Sequence, residues 1–225
     1  MPISIFDVDT DKPKQSFDTV GRFRAGHLIK KRPQTLTEWR VTTDDPEVGA
    51  YIAETFGGSV QEWDSERQPF EVFTTAKSVD IIVEKIFSNM TLWGRSGPIR
   101  KCDGQTISYP EDSAGEPCEC SKFSSLADRK AAAERGTGCQ PDITVRFRLA
   151  ENPELGIFEF KSGSWSLARD IAKVEKDLAA FGGKAVGTLA LEQVEFTAKD
   201  SGALRRFTKT VINLTAAAPT EGVAA

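Results

Sequence analysis

Histidine is almost absent from this sequence of 225 residues: His27 is the single one, and "RAGHLIKKR" gives it no acidic neighbour. A histidine-based triad, a histidine-rich metal centre and a pair of proton-shuttling imidazoles are thereby excluded unless that one residue serves. His27 is read as a surface or packing residue. No run of about 18 apolar residues is present to form a membrane-spanning helix. The opening "MPISIFDVDTDKPKQ" lacks the basic start and apolar stretch of a signal peptide. A cytoplasmic protein with reduced thiols and no membrane partner is the expectation. An excess of positive charge is lacking too, since 29 Lys and Arg face 33 Asp and Glu for a net charge of -4. Broad electrostatic attraction to phosphate is therefore not expected, and any DNA contact would be local or made through a partner. Neither a Walker loop nor a dinucleotide-binding glycine fingerprint occurs: "GRFRAG" has no strand-to-helix context. The basic run Lys30 to Arg32 beside Pro33 reads as a solvated loop.

Hydrophobic residues make up 39% of the chain and charged residues 28%, the balance of a globular fold with ample length for a core. The polar, proline-broken start defines an irregular arm over residues 1–20. "TEWRVTT" alternates as a strand does. In "DPEVGAYIAETFGG" Asp45 and Pro46 open a helix that Gly57 and Gly58 close. "FEVFTTA", "VDIIVEKIF" and "MTLWG" are rich in Val, Ile, Phe and Thr, and predict an antiparallel sheet with a "TAKS" turn after the first strand. "ITVRFRLAENPELGIFEF" predicts two further strands about an Asn-Pro-Gly turn. From Ser166 to Phe181, Leu167, Ile171, Val174, Leu178 and Phe181 recur at helical spacing and form one apolar stripe. A hairpin about "KDSG" and a small-residue tail over residues 215–225, expected to be disordered, complete the chain. The expected fold class is α+β, mostly antiparallel, with residues 21–214 as one domain. Trp39, Trp63, Trp93 and Trp165 are expected in the core, with anchoring of an interface as the alternative.

Cysteine is scarce, and its placement is the strongest local signal. All four, Cys102, Cys118, Cys120 and Cys139, fall within one polar segment of residues 102–140. Four thiolates complete a tetrahedral shell around Zn²⁺ and leave no open position, so the metal would be structural. Gly104, Gly136 and Gly138 supply tight turns beside the ligands, and "SSLADRKAAAER" reads as a capped helix ending at Gly136. The Cys-x-Cys pair departs from the two-residue knuckle of zinc ribbons. Unrelated buried thiols would instead sit in apolar runs. Iron–sulfur and redox roles are also open to four thiols so grouped.

The order of "GRFRAG" at Gly21, "LTEWRVTT" at Leu36, "TFGGSVQEW" at Thr55, "LWGRSGPIRKCDG" ending at Gly104, "CEC" at Cys118, "GTGCQP" at Gly136 and "LGIF" at Leu155 resembles the recombination directionality factors of actinobacterial phages. These are the larger kind that act on large serine integrases. The resemblance spans about Gly21 to Leu214. It implies a phage- or prophage-encoded, non-catalytic protein of the bacterial cytoplasm that binds the integrase at its coiled-coil and zinc-domain region. It would reach DNA indirectly, through that partner, and would turn recombination toward prophage excision. It also implies that Cys102, Cys118, Cys120 and Cys139 are the zinc ligands.

A rival reading is enzymatic. Pro141-Asp142 on one strand and Glu159-x-Lys161 on the next have the layout of a PD-(D/E)xK nuclease, in which two carboxylates hold Mg²⁺ and the lysine assists attack by water. Strand alternation explains the same residues as charges on a solvated sheet face. The relatives that the resemblance rests on do not carry Glu-x-Lys there.

Overall fold

A computed structural model describes residues 19–29, 32–197 and 202–219. Eleven strands form one sheet: β1 (Thr19–Ile29), β2 (Arg32–Thr43), β3 (Val60–Glu62), β4 (Phe70–Phe73), β5 (Ser78–Gly94), β6 (Gly97–Cys102), β7 (Ile107–Tyr109), β8 (Gln140–Leu149), β9 (Ile157–Ser162), β10 (Ala185–Thr197) and β11 (Leu204–Ala217). Three α-helices interrupt them: α1 (Pro46–Phe56), α2 (Leu126–Glu134) and α3 (Trp165–Ala180). The strand order is β11-β10-β5-β8-β9-β1-β2-β4-β3, with β6 on the far part of β5 and β7 on β6. Every pairing among the described strands is antiparallel except β1 with β9. The fold is α+β.

Alternation places Phe23, Val41, Val145, Phe147, Phe158 and Phe160 on one face, where they are buried with Trp39. Trp39 meets Phe23 and Phe160 edge-on at ring separations of 5.7 and 5.6 Å, a geometry favoured by the ring quadrupoles. Helices α1 and α3 cover this face. The first buries Val48, Ile52 and Phe56, and the second buries Leu167, Ile171, Val174 and Leu178. Each such side chain contributes roughly 1.5–3 kcal/mol on leaving water. The ends are set locally. Asp45 accepts from the Glu47 amide at 2.8 Å, Pro46 takes the first helical position, and Gly57 at φ +78° stops α1. The Ser164 hydroxyl accepts from the Leu167 amide to start α3 one residue before the expected Ser166.

Several expectations are corrected. "VDIIVEKIF" and "MTLWG" belong to a single 17-residue strand, β5. Strand β4 does not pair with β5 across "TAKS"; it lies between β2 and β3, and the chain crosses the core instead. Thr74 donates to the Trp39 carbonyl as it does so. The arm and tail boundaries also shift. Strand β1 begins at Thr19, and β11 continues through Ala216 and Ala217, paired to Val186 and Ala185. Backbone pairing orders these small residues, which supply little apolar area of their own. Most of the expected arm, Lys199, Asp200 and Ser201 of the "KDSG" turn, Lys30 and Lys31 lie outside the described residues.

Candidate metal centre

The cysteine segment forms a small module hung from β5 and the start of β8. Strand β6 delivers Cys102, after which Asp103 folds the chain back, its carboxylate accepting from the amides of Gln105 at 2.8 Å and Thr106 at 2.7 Å. Those two amides, Thr106 first, hold the Asp103 carboxyl below its ordinary range. Gly104 sits at φ +95°, and a side chain there would meet the Arg129 guanidinium at 2.5 Å. Cys118 is fixed by its amide, which donates to the Gln105 carbonyl at 2.6 Å. A short 3₁₀ turn, Glu119–Lys122, then curls Cys120 back beside it, with Ser121 donating through both amide and hydroxyl to the Cys118 carbonyl. That curl accounts for the Cys-x-Cys spacing, because a tight turn brings the two sulfurs together without a two-residue knuckle.

Helix α2 runs as the sequence predicts, capped by Ser125, which accepts from the Asp128 amide at 3.1 Å. Gly136 at φ +75° ends it, and the Gly138 amide returns to the Ala132 carbonyl. A Cβ on Gly138 would lie 2.8 Å from that of Ala132, so only glycine lets Cys139 approach so tightly.

All four sulfurs are buried and lie within 4.8 Å of one another, with Cys102 and Cys139 at 3.9 Å. Tetrahedral Zn–S bonds of about 2.3 Å place sulfurs roughly 3.8 Å apart, so the donor set fits such an ion. The thiols divide protons unevenly. Bonds from Cys102 and then Cys139 pull Cys120 down to about 2, and donation to Cys120 pushes Cys102 well above the ordinary thiol range. Cys139 is lowered by its bond with Cys102 but raised more by Cys120 and burial, to about 11. Hydrogen bonding among the crowded thiols thus favours ionisation of Cys120 over that of Cys102 and Cys139, and a bound cation would favour the thiolate form of all the ligands. The chain adds its own compensation: the Gly104 and Cys139 amides point at Cys102 and Cys120. Arg100 keeps its proton more firmly than usual, despite burial, because of Cys139 and the other sulfurs. Met90 and Ile107 close the site with Leu92 and Trp165. Arg100 carries no recognisable signal in the sequence, beyond lying two residues before a ligand.

The nuclease residues meet a different environment. Asp142, Glu159 and Lys161 all line one depression of about 610 Å³ on the open sheet face, opposite the core. The register separates the carboxylates, however. Glu159 pairs with Arg146, whereas Asp142 lies four residues further along β8, roughly 13 Å away at the rise of a strand. Two carboxylates so placed do not share one cation. Asp142 accepts from the Thr91 hydroxyl at 2.8 Å and faces Lys101 at 4.0 Å. Glu159 is only 5% exposed, which corrects the expectation of a solvated charge. It is held by Arg22 at 3.3 Å, Lys161 at 3.3 Å and Arg146 at 3.9 Å. The tryptophans divide: Trp39 is core, Trp63 lies 4.1 Å over the Arg40 guanidinium, Trp165 packs on the cysteines, and Trp93 is 49% exposed. His27 packs edge-on against Phe73 at 5.9 Å.

No solved structure matches the chain. The sequence model of the Gp3-like family, described as recombination directionality factor-like, matches residues 20–215, a span that takes in the sheet, all three helices and the cysteine module. The chain belongs to this recombination directionality factor-like family.

Proposed function

We propose that this protein is a non-catalytic recombination directionality factor that binds a large serine integrase and turns it from integration toward prophage excision. Family membership over residues 20–215 carries the reading. It is supported by the separation of Asp142 from Glu159, which leaves the nuclease reading without a shared-cation geometry. A regulator of this kind acts by binding one arrangement of its partner better than the other. A difference of about 3 kcal/mol shifts the balance of directions more than a hundredfold with no bond made or broken by the regulator. The coiled-coil and zinc-domain region of the integrase is the part on which such a ligand would act.

The same reading gives Cys102, Cys118, Cys120 and Cys139 a structural zinc. The ion would replace thiol repulsion with four bonds and tie β6, the 3₁₀ turn and the start of β8 into one unit. With all four positions taken by sulfur it would staple rather than catalyse. The partner claim is tested by gel filtration of the protein with the large serine integrase encoded in the same genome, without DNA. Co-elution is the expected result, and separate elution at concentrations saturating for recombination contradicts it.

A further inference from the structure

The open face of the sheet carries an excess of positive charge that the core and the cysteine module do not use. Two adjoining depressions, of about 610 and 240 Å³, lie over β5, β8, β9 and β1. Together they are lined by Arg22, Arg24, Lys101, Arg146 and Lys161 against Asp142 and Glu159, five cations to two anions, in a chain of net charge -4. Glu159 is shared by three of those cations, and Arg22 Nε is buried with no acceptor in hydrogen-bond geometry. Arg24 donates to the neutral oxygens of Thr42 at 3.0 Å and Gln68 at 3.2 Å. Burial first, then Arg40 and Arg22, make its charge harder to hold. Arg22, which shares its carboxylate, and Arg24, whose hydrogen bonds go to neutral oxygens, are thus positioned by the sheet but incompletely neutralised.

We propose that these depressions receive an acidic segment of a partner protein, whose carboxylates enter between Arg22, Lys161 and Lys101. The inference rests on the proposed function, since the partner it would serve is the integrase. Charge complementarity sets the sign of the occupant, and the composition sets its class. The excess charge is confined to depressions that hold a few side chains, whereas a nucleic-acid backbone is held by basic side chains spread along an extended face. Apolar contact is also provided. Phe87 lies 5.1 Å from the Arg146 guanidinium, and the exposed Trp93 stands at the rim. Partly exposed tryptophan and arginine beside a recess are the residues that most often anchor a protein interface.

The probe is a fluorescently labelled glutamate-rich peptide, followed by anisotropy, with a lysine-rich peptide and a short DNA duplex in parallel. The glutamate peptide should bind best, and its binding should weaken as salt rises. Lys101→Glu combined with Trp93→Ala should weaken it by about tenfold or more, because a reversed charge and a lost anchor act together. Lys101 immediately precedes Cys102 on β6, so Trp93→Ala alone serves as the control for the metal site: its exposed side chain supplies no ligand, and the single variant should keep wild-type metal content and melting temperature while weakening peptide binding. Lys176→Glu, on exposed α3 surface, should leave binding intact. The same variants are then titrated against the integrase. Equal integrase affinity for the wild type and the Lys101→Glu, Trp93→Ala variant overturns the assigned surface while leaving the partner reading in place. Peptide binding without integrase binding keeps the surface and refutes the partner. Tighter, variant-sensitive binding of the duplex overturns the proposal in favour of nucleic acid.

Discussion

Four sulfurs crowded into a volume with no solvent cannot all ionise unless a cation is present, and three features fix them there. Asp103 turns the chain after Cys102, the 3₁₀ turn reverses it between Cys118 and Cys120, and Gly138 permits the close return to Cys139. Removing one sulfur should therefore cost metal as well as stability. Cys120→Ser protein, purified with zinc in the medium, should hold well below one zinc per chain, where wild type holds about one. If about 3 kcal/mol of stabilisation is lost, the melting midpoint should fall by roughly 6–12 °C in a chain of this size. Elemental analysis and a thermal melt check both numbers. Wild-type metal stoichiometry in the variant contradicts the four-ligand site. At this scale the cysteines are legible in the sequence, because polar surroundings make a buried thiol anomalous. Glu159 is not, since alternation gives only the face, and Arg22 of β1, which pairs with Glu159, lies far away in the chain.

Helix α3 shows what periodicity can carry. Its stripe of Leu167, Ile171, Val174 and Leu178 is buried as the spacing predicts, because an isolated amphipathic helix has one way to hide that face. Ile171→Ala should destabilise the fold by about 2–4 kcal/mol through lost transfer energy and a residual cavity. Denaturant titration measures it, and a change below about 1 kcal/mol would mean that α3 packs elsewhere. Zinc content should not respond, since Ile171 belongs to the main core and the cysteines to a separate cluster. Strand partners are less legible than strands. "FEVF" and "VDIIVEKIF" are both recognisable, yet their shared turn does not join neighbours: β4 pairs β2, and β5 pairs β8 and β10. Pairing is decided by long-range burial of each face, on which local alternation is silent. The continuity of β5 is hidden for a related reason. The polar pair Ser88-Asn89 resembles a break, but pairing with Ile143 and Asp142 of β8 carries the strand through it, beyond a bulge between Val83 and Lys85.

At the scale of the whole molecule, the two faces of the sheet divide the labour. One buries the aromatic core under α1 and α3, and the other presents an incompletely neutralised basic recess beside the cysteine module. A protein so built can offer a rigid surface to a partner without chemistry of its own. Its effect on recombination should then follow occupancy of a protein complex and not any change in the DNA. The most direct measurement titrates the protein into the integrase encoded in the same genome, and follows recombination on two substrates. One carries the original phage and bacterial sites, and the other the hybrid sites that flank a prophage. Recombination of the hybrid sites should rise, and that of the original sites should fall, over the same concentration range, with both DNAs uncleaved in the protein's presence alone. Unchanged direction at saturating protein, or cleavage of either DNA without the integrase, would contradict the account.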